Sequence, residues 1–450
     1  MGYSVEELRT YELNSSDEEL SREPSLNEKD SEPSLPPIDG GKNAWLCLMG
    51  AFCFEMMVWG FPFSFGIFED YYSEHEPFKQ NSSDVSLVGS CCMGVMYLAS
   101  PISLFVLQQF PSTCRYSCLV GLIVASLAIV ASSFASNVWQ LIITQGLMYP
   151  LGACMLYYPT FVFIDEWFEQ KKGLAFGICW AGSGVAGVAF PFIVKSALSR
   201  FSFQVVMWGW AVILFILAAP FVPFVKPRIP RDGSSSVQCQ RLGFSFLRSP
   251  IFLIFQAGNI LQSLGYFVPS IYLATYARSV LEQKSLGSTA PVLCLNAGMM
   301  LGFLGIGLLI DRWHVASCML LSTVGATVSV FVIWGVSISL PPLLIFAIVY
   351  GAFAGSTPAA WSGIVKLMRK TDESVPAGFV LGLFAAGRGI GAVACGPISE
   401  VLISASESSA LSESSAMAYS TKFGVLIIFT GVTSIFGVLG FGAKKMRFIP

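Results

Sequence analysis

The sequence predicts an all-α membrane protein with twelve transmembrane helices in two six-helix bundles. Three observations predict it. Of 450 residues, 54% are hydrophobic and only 12% are charged, about half the charged share of an average soluble domain, and the mean hydropathy is +0.66. Twelve apolar runs each approach the roughly 20 residues that a helix needs to cross a hydrocarbon core. A polar stretch from Lys226 to Ser249, with five basic residues, parts the first six runs from the last six.

Residues 1–42 are acidic, rich in Ser and Pro, and without apolar periodicity, a composition that cannot bury enough surface to fold. This reads as a disordered cytosolic tail. It has neither the basic start nor the apolar core of a cleaved signal peptide, so the first span is expected to direct insertion. Lipid offers no partners to unpaired backbone groups, so each apolar run is expected to be helical. The runs lie near 44–68, 85–108, 116–135, 138–163, 173–194, 204–225, 250–275, 289–310, 315–336, 341–366, 376–402 and 421–442. They divide the chain into an N-terminal bundle (43–225), a central cytosolic loop (226–249), a C-terminal bundle (250–443) and a short basic tail (444–450).

Cytosolic loops retain Lys and Arg. With the N-terminus inside, 19 of the 26 Lys and Arg residues fall in cytosolic segments and six outside, and the last, Arg388, lies in a span. Both termini are therefore expected in the cytosol. The sequon Asn81-Ser82-Ser83 falls in the first outer loop, making Asn81 the glycosylation candidate. The plasma membrane is the expected location, with a vacuolar or other internal membrane as the alternative.

The formal net charge is −2, and the basic residues form no cluster with exposed aromatics, so no nucleic-acid partner is expected. Of twelve cysteines, Cys47, Cys53, Cys91, Cys92, Cys154, Cys179, Cys294 and Cys395 are among those inside apolar runs, the setting of buried free thiols. No Cys or His spacing suits a metal, and His75 and His314 lie in loop-like segments. No metal, cofactor or catalytic constellation is expected, which argues against an enzyme.

The halves resemble each other. An offset of 205 superposes Gly173, Gly177, Gly182 and Gly184 on Gly378, Gly382, Gly387 and Gly389. An internal duplication leaves such a trace, and small residues at these spacings let helices approach closely.

Ile38-Asp39-Gly40-Gly41 with Ala44-Trp45, then Gly50-Ala51-Phe52 and Phe61-Pro62, resembles the opening signature of the monocarboxylate transporter family. Ser64-Phe65-Gly66-Ile67-Phe68 with Tyr71-Tyr72 is similar to its fungal branch, as is Gly387-Arg388-Gly389-Ile390-Gly391 with Gly396-Pro397-Ile398. Glu166-Trp167-Phe168 and Lys171-Lys172-Gly173-Leu174-Ala175 resemble a second family signature. Gly307 to Asp311-Arg312 resembles the loop motif of the major facilitator superfamily between spans 8 and 9, making Asp311 and Arg312 the gating-loop candidates. The resemblance covers about residues 38–445 and implies the major facilitator fold. It also implies a secondary transporter for a small monocarboxylate or another organic anion, with symport of protons. Two departures stand out. Phe63 holds the place of a lysine that animal members use, and an uncharged eighth span with Asn296 replaces their Asp/Arg pair. The loop Gln108–Arg115 lacks the Gly and Asp of the superfamily motif.

An ionised side chain at the bilayer centre costs at least about 2.5 kcal/mol on insertion scales, so each needs a partner or a job. Glu55 lies ten residues beyond Trp45 and Arg388 eleven beyond Ala377, both roughly 15 Å from the inner boundary. Glu55 suits proton coupling or a structural hydrogen bond. Arg388 suits a carboxylate grip or a structural pair. Gln256, Asn259, Asn296, Tyr157 and Trp361 are the further candidates for a central cavity, and their amide and aromatic chemistry suits an organic anion. The expected function is alternating-access transport of a small organic solute by a monomer. The alternatives are export of a secondary metabolite and a nontransporting nutrient sensor with the same fold.

Overall fold

The computed structural model describes residues 36–79, 82–110, 113–228, 244–283, 286–408 and 417–445. Asn81, the acidic segment up to residue 35 and residues 229–243 of the central loop lie outside them. Among the described residues there is no strand. Twelve helices form two six-helix bundles, the first of α1 (Lys42–Glu74), α2 (Asp84–Gln109), α3 (Cys114–Ser132), α4 (Val138–Trp167), α5 (Lys172–Leu198) and α6 (Phe203–Phe221). The second holds α7 (Pro250–Ser279), α8 (Gly287–Arg312), α9 (Val315–Trp334), α10 (Leu340–Thr371), α11 (Ala377–Ser406) and α12 (Gly424–Gly442). Eleven of these are long and apolar enough to cross a membrane, and α3 is an apolar helix of 19 residues.

Several helices outrun their apolar cores. α1 has 33 residues, about 50 Å of helix, because Glu69 and Asp70 end the apolar run without ending the helix. An even number of crossings brings both ends of the helical body to one face, called here the terminal face, with the far face opposite.

α4, α9 and α10 each carry a widened π-helical turn, Ile142–Met148, Ser329–Trp334 and Gly351–Gly355. Such turns commonly accompany functional sites.

Within the halves α1 packs on α5 and α7 on α11; between them α5 packs on α8 and α2 on α11. Glycine permits the α5–α8 contact. A Cβ on Gly177 would collide with the backbone oxygen of Phe303, and one on Gly173 would meet that of Gly307. The core reflects this joint. One apolar cluster runs from the first half into Met299, Phe303, Trp361 and Phe384 of the second, whereas a separate cluster with Tyr276, Trp334, Tyr350 and Phe423 belongs to the second half.

Candidate functional site

The duplicated glycines place the two mid-depth charges. Gly182 of α5 lets α1 approach so closely that an added Cβ would lie 3.4 Å from the Glu55 Cβ. Its counterpart Gly387 on α11 receives the side chains of Gln256 and Asn259 from α7. Glu55 therefore occupies in one half the place that Asn259 holds in the other, and Ser183 stands where the second half has Arg388.

Glu55 is 3% exposed and its Oε2 has no hydrogen-bond partner. Trp59, one turn along α1, is also buried with an unpartnered indole N–H. Arg388 is 2% exposed. Its guanidinium donates to Thr357 Oγ1 at 2.9 Å and lies 3.9 Å from the Tyr266 ring centroid, a cation–π contact. No ion pair joins Glu55 and Arg388 among the described residues. A structural pairing of Arg388 with a carboxylate or helix-end carbonyls is not what these contacts provide; they are a hydroxyl and an aromatic face. Tyr97 of α2 stands between the two charges, close enough to feel both, and stacks near Trp59 at 4.9 Å and Phe267 at 6.2 Å.

The other candidates divide by task. Gln256 Nε2 and Asn259 Nδ2 donate to the Leu383 and Phe384 carbonyls, both at 2.8 Å, so they lock α7 to the turn of α11 that precedes Arg388. Asn296 Nδ2 reaches the Gly187 carbonyl across the two halves at 3.2 Å. Tyr157 packs against Tyr158 and Phe161. Trp361 meets Trp180 of the first half at 5.8 Å and Phe384 at 6.1 Å, and Trp180 also meets Phe303. These rings form an aromatic plug that joins the halves on the terminal side of the Glu55–Arg388 layer. A groove of about 360 Å³ lined by Ser126, Phe134, Trp208 and Phe215 lies on an exposed flank between α3 and α6, away from this layer.

Below the plug the terminal face is tied together. Asp165 of α4 pairs with Arg369 of α10 at 2.8 Å and with Lys172 at 2.6 Å. Asp311 of α8 accepts the N–H groups of Gly173 and Leu174 at 2.6 and 2.9 Å. A carboxylate there satisfies donors that a helix start leaves free and faces the positive end of the α5 dipole. Arg312 is exposed. At the far face Asp70 of α1 feels Arg278 of α7 and Lys195 of α5, yet among the described residues none of them forms an ion pair.

Residues 44–393 match the Major Facilitator Superfamily. The chain belongs to the major facilitator superfamily. Similar superfamily members include the MFS transporter asaE of Aspergillus flavus, 27% identical over 390 residues that cover 85% of each chain. The Fujikurins efflux protein of Gibberella fujikuroi is 27% identical over 74% of this chain and 72% of its own. Monocarboxylate transporter 10 of Mus musculus is 25% identical over 78% of this chain and 72% of its own. These relatives support the resemblance to the monocarboxylate transporter branch.

Asp311, at the loop-motif position, bridges one bundle to a helix start of the other. The departing loop has no such acid. The equivalent α2–α11 contact brings the neutral Gln108 side chain against Gly378, with Gln108 Oε1 unpartnered. Asp39 of the opening signature ties the chain entering α1 to the α4–α5 loop. Its backbone sits at a φ of 57°, a region Asp tolerates better than most residues, and its carboxylate accepts the N–H groups of Glu169, Gln170 and Lys171 at 2.9–3.0 Å. Burial alone would push this carboxyl up, but the three backbone donors and nearby Lys171 outweigh it and hold it below the usual range.

Sequence reasoning named Glu55 and Arg388 but missed Trp59, Tyr97 and Thr357, which surround them, and Asp165. Asp165 had one signal: it is an acid at a helix end where the neighbouring loop is basic.

Proposed function

We propose that this superfamily member moves a small organic anion or a related metabolite across its membrane by alternating access, with the solute held between Glu55 and Arg388. The observation that carries this reading is Arg388: a cation buried at mid-depth, bonded to the Thr357 hydroxyl, facing the Tyr97 hydroxyl, backed by an aromatic face and, among the described residues, without an acidic partner. A charge in that setting calls for a mobile counter-ion. Glu55 is the proton-coupling group of this reading, the terminal face is cytosolic, and Asn81 carries its glycan on the far side of a plasma membrane. The arrangement with tied Asp165, Arg369 and Asp311 is a state closed to the cytosol.

Export of a secondary metabolite is the second reading. It is favoured by relatives named as efflux proteins and by aromatic rings around the layer that suit a larger solute than a short-chain acid.

Flux of labelled organic acids into sealed proteoliposomes, with and without a pH gradient, tests the proposal. Wild-type protein should drive saturable flux, and Arg388→Lys should lower it at least about tenfold, because lysine cannot reproduce a planar two-point grip. Glu55→Gln should fold normally and lose the response to the pH gradient. Undiminished flux in Arg388→Lys removes the anion site, and an unchanged pH response in Glu55→Gln removes proton coupling through Glu55. Absence of flux for every acid tested, with binding intact, favours a sensor.

A further inference from the structure

The central layer holds unmet polar groups on opposite halves, and their types specify a ligand more closely than its charge does. On α1, Glu55 Oε2 is a buried acceptor without a donor and Trp59 Nε1 is a buried donor without an acceptor. The two residues stand four apart on the helix, so they share one face about a turn apart. On α11, the Arg388 guanidinium has five N–H donors; one goes to Thr357 and another faces the Tyr97 hydroxyl, which leaves donors for a ligand. Rings lie between and beside these groups: Tyr97 against Trp59, Phe267 against Tyr97, and Tyr266 at 4.8 Å from Phe267 and under Arg388.

We infer that the occupant of this layer is an amphipathic organic acid that carries a hydroxyl remote from its acid group. The acid group lies on Arg388, the flat apolar body lies against Tyr97, Tyr266 and Phe267, and the hydroxyl sits between Glu55 and Trp59. A hydroxyl is the smallest group that donates to a carboxylate oxygen and accepts from an indole N–H at the same time. A short-chain acid has no apolar surface for the rings, and an acid without a remote hydroxyl leaves Glu55 and Trp59 unpaired. Sites built around buried polar groups reject analogues that fail to pair them. This inference rests on the organic-anion reading above and adds a second recognition point, supplied by the other half.

The probes are the three ring isomers of hydroxyphenylpropanoate and their three fluorophenylpropanoate counterparts, titrated calorimetrically into the purified full-length protein. Fluorine approximates the size of the hydroxyl but cannot donate. In the wild type at least one hydroxy acid should bind about tenfold or more tightly than its fluoro partner, because a partner that cannot donate leaves a buried acceptor unpaired. Glu55→Met and Trp59→Phe should each cut that preference at least about fivefold. Arg388→Lys should weaken all six acids together. Equal binding of hydroxy and fluoro partners in all three wild-type pairs overturns the remote-hydroxyl inference, and it leaves the organic-anion reading standing if Arg388→Lys still weakens binding. Saturable binding of none of the six overturns both. The wild-type comparison needs no variant, so a misfolded mutant cannot mask the result.

Discussion

At the terminal face, Asp165 and Asp311 are locked into bonds; at the far face Asp70, among the described residues, is not. Asp165 reaches from α4 to Arg369 on α10, and Asp311 reaches from α8 to the start of α5. On the opposite side Asp70, Lys195 and Arg278 sit at the mouths of α1, α5 and α7 within electrostatic range but, among the described residues, without an ion pair. The terminal-side acids are held by geometry that burial enforces. Asp311 meets backbone donors fixed by a helix start, and the glycine contacts of α5 with α8 keep that start within reach. Asp70 has only long, mobile partners, whose mutual attraction water weakens. The difference teaches that closure of a face comes from backbone proximity first and from charge second.

Thermal unfolding of purified variants can break this contrast, and four substitutions should rank in order. Gly177→Leu drives a side chain into the Phe303 backbone, which no rotamer relieves, so α5 and α8 must part. The expected loss is about 3 kcal/mol, the top of the range for overpacking. Asp311→Ala removes two charge-assisted bonds at the α5 start and should cost about 1–2 kcal/mol. Asp165→Asn breaks both ion pairs, but Arg369 is 37% exposed, so solvent screening holds the expected loss to about 1 kcal/mol or less, shrinking as salt is raised. Asp70→Asn should change the unfolding temperature least, within the equivalent of about 0.5 kcal/mol. A loss on Asp70→Asn as large as that on Asp311→Ala would erase the distinction between the two faces.

The fold was legible because lipid allows a chain few choices. A span must be helical, near 20 residues long and apolar, and each helix starts or ends within a few residues of its apolar run. Where the helices run further, as α1 does to Glu74, water rather than lipid surrounds the last turns, and hydropathy carries no signal for a helix continuing there. The central charges were legible for the same reason, since Glu55 and Arg388 interrupt long apolar runs. Their surroundings were not. Sequence gives depth along a helix but not which neighbour a side chain faces. Gln256 and Asn259 read as free cavity amides, whereas both donate to carbonyls of α11. Trp59 and Tyr97 look like ordinary membrane aromatics until the packing of α2 on α1 and α11 places them beside the two charges. Asp165 and Arg369 are 204 residues apart, and nothing local marks them as partners.

The central claim is that the two faces alternate around the Glu55–Arg388 layer, and distances across both mouths measured by pulsed electron spin resonance test it most directly. One labelled pair, at Lys171 and Glu373, spans the terminal face; a second, at Ser199 and Ser279, spans the far face. All four sites are exposed. Without solute the terminal pair should give a short, narrow distribution and the far pair a longer, broader one. Saturation with the tightest-binding hydroxyphenylpropanoate should shorten the far distance, and adding Asp165→Asn with Asp311→Ala should lengthen the terminal one. Two distances that stay fixed under every one of these conditions would contradict the account.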